Sequence, residues 1–133
     1  MSYPKMKSPY RPDSDRRQFF RHNTIVPIDY YPEGSRVSPT PKPTKVNLSG
    51  GGIRFATQRM FRVGDRLEVV LALPTLAPLH VTAEIIHVRP DDLDDSAQVV
   101  RCRFVSMTQR SRERVIQFLL RSQAFQLQEA DSG

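Results

Sequence analysis

The sequence predicts a mainly β protein: a six-stranded antiparallel β-barrel with a C-terminal α-helix and a flexible N-terminal tail. Three observations carry that prediction. Short segments of alternating apolar and polar residues recur along the middle of the chain, as half-buried strands require. Glycine, proline and aspartate clusters punctuate them at the spacing of turns. After residue 107 the apolar period lengthens from two to that of a helix.

The elements follow in order. Residues 1–15 hold Pro4, Pro9, Pro12 and several basic side chains with little to bury, and are expected to form a flexible basic tail. Residues 23–31 set Ile25 and Pro27 against Val26, Ile28 and Tyr30. That is a strand, and Pro27, lacking a donor, places it at a sheet edge. A proline-rich loop occupies residues 32–43. Residues 45–48 form a short strand, Ser49, Gly50, Gly51 and Gly52 a tight turn, and residues 53–56 the next strand. Beyond the Val63-Gly64-Asp65 turn come strands over residues 66–73, 79–88 and 98–105. The second and third of these flank an acidic loop, Asp91 to Asp95. Thr108 caps a helix over residues 110–128, with Val115, Phe118, Leu119, Ser122 and Phe125 on one stripe. The domain is expected over residues 16–125, followed by a C-terminal tail over 126–133.

The chain has 133 residues, enough for a single core, and a net charge of +6, which favours an anionic partner. One cysteine, Cys102, excludes an internal disulfide and suits a reducing compartment. No apolar run approaches the ~20 residues of a membrane span, and the first dozen residues lack the apolar core of a signal peptide. A cytoplasmic location is expected. His22, His80 and His87 have no metal-ligand spacing with Cys102, and the chain contains no nucleophile elbow, phosphate-binding P-loop or HExxH pattern. The acidic loop lacks the glycine and terminal glutamate of a calcium hand. No enzyme, metal or cofactor is expected.

Two motifs carry the functional signal. The first is Arg17-Gln18-Phe19-Phe20-Arg21, at the junction of tail and first strand, and the second is Asn47-Leu48-Ser49-Gly50-Gly51-Gly52. Guanidinium forks bind phosphate oxygens bidentately, match the O6/N7 edge of guanine and stack on purines. Asn47 offers donor and acceptor, and Ser49 a hydroxyl. The three glycines permit positive φ and let a ligand approach the backbone. Arg-x-x-x-Arg also occurs at Arg62/Arg66 and Arg110/Arg114, so the spacing alone is weak. The plainer reading of the second motif is a glycine turn joining two strands. Its Asn-x-Ser match to a glycosylation acceptor is a chance one.

Taken together, the motifs and their spacing resemble the PilZ domain, the bacterial receptor for the second messenger cyclic di-GMP. The resemblance runs from about residue 15 to residue 122. It includes Val63-Gly64-Asp65 before a strand, the strand ending Arg103-Phe104-Val105, and the closing helix. It implies that Arg17 and Arg21 grip phosphates and guanines, that Asn47 and Ser49 bond a guanine edge, and that the turn of Gly50, Gly51 and Gly52 lies beneath the ligand. Arg16, just before the first motif, would favour a stacked pair of cyclic di-GMP molecules, or else is a solvated tail residue. For such a receptor, the single amphipathic face leads us to expect a monomer, and the arginines at the junction of tail and barrel a tail that orders on binding and presents a surface to a downstream protein. Two rivals stand beside it: a PilZ-like scaffold that binds only proteins, and a basic barrel that stacks single-stranded nucleic acid on Phe19 and Phe20.

Overall fold

A computed structural model of the chain describes residues 22–74 and 77–132, with helix side chains as far as Ser122. Six strands and one helix follow in order: β1 (His22–Pro32), β2 (Lys42–Leu48), β3 (Gly52–Thr57), β4 (Arg66–Leu71), β5 (Leu79–Pro90), β6 (Gln98–Ser106) and α1 (Gln109–Ser132). All pairings are antiparallel, and the strand order β1-β2-β3-β6-β5-β4 closes on itself as a barrel. The expected six-stranded antiparallel barrel with a C-terminal helix is the observed one, and the expected tail lies outside the described residues.

Closure is made by β1, which serves two neighbours. His22 to Ile28 pair with β2, and Ile28 to Pro32 pair with β4. The expected sheet edge at Pro27 is therefore wrong, because a closed barrel has no edge. Pro27 is tolerated inside the sheet for a local reason. It faces Pro43 across the β1–β2 pair, and its carbonyl accepts the Ala72 N–H at 2.9 Å. The donor it lacks falls one position beyond the β1–β4 ladder, which begins at Ile28 and Leu71.

Alternation places one face of every strand inside. Val26, Ile28, Val46, Leu48, Ile53, Phe55, Leu67, Val69, Val81, Ile85, Val100 and Cys102 are buried together. Bulges in the β5–β6 pair, at Thr82/Ala83 and Ile85/His87, shift the register and leave Ile86 on the outside.

The two ends of the barrel are sealed differently. At the end where β1 begins and β2 turns into β3, α1 lays Val115 and Leu119 into the core. The Thr108 hydroxyl accepts the Ser111 N–H at 3.1 Å, the cap expected from the sequence. The helix runs on to Ser132, four residues past the expected end. At the other end, Tyr30 packs on Phe55 (ring centroids 4.6 Å apart) and Phe61 (6.2 Å), and its hydroxyl donates to Thr57 Oγ1 at 2.7 Å. Arg59 sits 4.8 Å over the Tyr30 ring and bonds its carbonyl. The proline-rich loop closes here too, where the Asp29 carboxylate accepts the N–H groups of Tyr30 (2.8 Å) and Thr40 (2.9 Å).

Candidate functional site

The second motif forms the β2–β3 connection. Asn47 occupies an outward position of β2 between the inward Val46 and Leu48, yet it is buried. Its Nδ2 donates to Asn23 Oδ1 at 2.8 Å, the residue directly across the β1–β2 pair. Asn23 thus fixes the plane of the Asn47 amide, a role the sequence reading missed. The signal was there in the outward position of Asn23 on a regular strand, but register was needed to match the two.

Ser49 is buried and bonded within the turn. Its hydroxyl oxygen accepts the N–H groups of Gly51 (3.2 Å) and Gly52 (3.1 Å), while its own N–H donates to the Gly52 carbonyl at 2.9 Å. The Gly51 carbonyl accepts the Phe104 N–H at 2.9 Å, tying the turn to β6.

The positive φ expected of these glycines is not adopted, and packing within the protein constrains two of them. Positive φ is adopted by Gly34 and Gly64, and by neither Gly50 nor Gly52. What Gly50 and Gly52 supply is close approach within the protein. A Cβ on Gly52 would overlap the Cys102 carbonyl oxygen of β6. One on Gly50 would meet Ile116 Cγ1 at 3.1 Å and Arg112 Cγ at 3.6 Å, so α1 crosses directly over the turn.

Outside the barrel wall, beside Asn47, lies an open trough of about 720 Å³, lined by Asn23, Ile25, Lys45, Asn47, Arg54 and Val99 among others. That is within the size range of small-ligand sites. Lys45 and Arg54 were not singled out from the sequence. The expected Arg16, Arg17 and Arg21 lie outside the described residues, as does the tail, and the chain enters the described barrel at His22, opposite Leu48.

Other expectations meet the geometry as follows. His80 and His87 are exposed on β5, and no group of His, Cys, Asp or Glu suited to a metal occurs among the described residues. Phe55 and Phe104 are core residues, so neither presents a ring to stacked bases. Burial pushes the Cys102 thiol up to about 12, which keeps it un-ionised and inert at neutral pH. Among the described residues no helix is long and apolar enough to cross a membrane.

The model of the PilZ domain matches residues 15–121. The chain belongs to the PilZ domain family. Solved structures agree on the fold. The Bacillus subtilis inhibitor of motility, MotI/DgrA, superposes with a TM-score of 0.63 at 16% identity, over 78% of this chain and 49% of that one. A pathogenic protein from Xanthomonas campestris, described as a tetrameric PilZ domain self-assembled through a helical bundle, gives 0.64 at 13% identity, over 80% and 89%. The PilZ domain of Escherichia coli YcgR, solved with c-di-GMP, gives 0.54 at 13% identity, over 85% and 98%. The chain spans about half the length of MotI/DgrA. No curated protein sequence matches it.

Proposed function

We propose that this PilZ domain is a non-enzymatic cytoplasmic receptor for cyclic di-GMP. The observation that carries the reading is that Asn47 of the second motif lines an open trough beside the strand start where the chain arrives from the first motif. Arg21 immediately precedes His22, and His22 pairs with Leu48 in the middle of the second motif. In this reading Arg17 and Arg21 grip the phosphates and guanines of a doubly anionic ligand. Asn47, held in plane by Asn23, meets a guanine edge.

The bonds of Ser49 within the turn leave room for this reading. A hydroxyl has two acceptor positions and one donor. Gly51 and Gly52 take both acceptor positions, and the remaining O–H makes only a long 3.4 Å contact to the Gly52 carbonyl. In this reading the Ser49 O–H leaves that long contact to donate to a guanine acceptor, with Gly50, Gly51 and Gly52 as the floor of the turn. Arg16 stacks on a second purine, so two cyclic di-GMP molecules bind per chain. Drawing the basic tail over the trough exchanges its conformational freedom for charge-assisted bonds. The ordered tail and the barrel then form a joint surface that a downstream protein reads.

Isothermal titration with cyclic di-GMP, with cyclic di-AMP as control, tests this. The expected result is tight, guanine-selective binding near two ligands per chain, nearly abolished by Arg21→Ala with the fold intact. Wild-type affinity in Arg21→Ala would refute the site, and no heat with either dinucleotide would leave the protein-binding scaffold as the better reading.

A further inference from the structure

The outer wall beside the second motif carries charges that neither motif includes. Register aligns Asn23, Asn47, Arg54, Arg101 and His87 as one row across β1, β2, β3, β6 and β5. Arg54 and Arg101 stand directly opposite each other on neighbouring strands, and both are exposed. Lys45, also exposed, lines the trough with Arg54.

Like charges directly opposite on a sheet oppose its pairing. One row along the same wall the chain avoids this, where Arg103 Nη2 meets Glu84 Oε1 at 2.7 Å across the β5–β6 pair. Arg54, Arg101 and Lys45 have no such partner among the described residues, whose ion pairs are Arg103–Glu84 and Arg89–Asp92. Strands lie about 4.8 Å apart, so the arginine pair begins one strand from Asn47 and ends two strands away. Two guanidinium forks at that spacing offer parallel N–H donors to an O–P–O edge, and an anion between them removes their mutual repulsion.

We propose that Arg54 and Arg101 form an anion subsite on the β3–β6 wall that takes a phosphodiester of the cyclic dinucleotide whose guanine lies at Asn47. This rests on the receptor reading above. It divides recognition between the arriving arginines of the tail and a pre-built pair on the rigid wall. Lys45 adds a third cation in the trough that Arg54 lines, with Arg101 beside Arg54 on the next strand.

The test is a titration of cyclic di-GMP into wild type, Arg54→Gln, Arg101→Gln and the double variant, each at low and at physiological salt. Arg66→Gln, which removes the same charge from β4 on another part of the wall, is the control. Each single change is expected to weaken binding about ten- to a hundredfold, because it removes hydrogen bonds between charged groups. The double variant should also lose part of the salt dependence, and Arg66→Gln should bind as wild type does. Both arginines are exposed, so the variants keep the wild-type melting temperature or exceed it. Arg101→Glu gives a readout that does not involve the ligand. It builds with Arg54 the pair that Glu84 makes with Arg103, and should raise the melting temperature while weakening binding further. Wild-type affinity and salt slope in the double variant, with the wild type binding normally, would refute the subsite and leave the receptor reading standing. Failure of the wild type to bind would refute both.

Discussion

Gly52 and Gly50 show how residues that read as ligand chemistry can be fixed by packing. Gly52 has the Cys102 carbonyl where a Cβ would go, and main chain cannot step aside. Gly52→Ala should therefore cost about 1–3 kcal/mol as β3 and β6 are pushed apart. Gly50 faces the flexible end of Ile116, which gives way easily, so Gly50→Ala should cost well under half of that. Urea unfolding of the two variants checks the order, and equal losses would mean that α1 is pinned more tightly over the turn than its contacts indicate. The sequence showed that a glycine turn was present but not what Gly50 and Gly52 pack against. Close approach depends on which strand and which helix arrive beside it, and alternation says nothing about either. The same holds for Asn23 and Arg54. Each stood at a visible outward position, and its meaning came only when register set it beside Asn47.

At the scale of elements, strand periodicity and the change to helical period at Thr108 were legible because they are local, and all six strands and the helix occur, β2 beginning at Lys42 inside the segment expected to be loop. Pro27 was misread for the complementary reason. Its missing donor is harmless only because β1 changes partner at Ile28, a non-local fact. β6 supplies a further prediction. Its inward Cys102 ionises near 9.0 as a free thiol and is raised to about 12 by burial. Between those values the unfolded chain has lost the proton that the folded chain keeps, so the contribution is complete below pH 9 and declines as pH rises toward 12. Urea midpoints measured from pH 8 to pH 11 should fall more steeply for wild type than for Cys102→Ala. Identical slopes would mean that the thiol is accessible in the native state.

For the whole molecule, the net charge of +6 and the closed barrel are the governing facts. A ligand that binds only the folded state stabilises it by ~2.7 kcal/mol at a hundredfold excess over its Kd. Thermal unfolding with cyclic di-GMP should show a clear upward shift that is absent with cyclic di-AMP and lost in Arg21→Ala. A shift of equal size with both dinucleotides would indicate charge attraction without base recognition. The barrel also separates its work by pole. The second motif and α1 crowd one end, while the loops over residues 33–41, 58–65 and 91–97 share the other, with Met60 and Leu93 pointing outward. Lengthening a surface loop costs little, since each doubling adds only ~0.6 kcal/mol of closure entropy. The far pole is therefore where an engineer would insert a fluorescent module or a transplanted epitope, converting the domain into a sensor without touching the residues proposed to read the ligand.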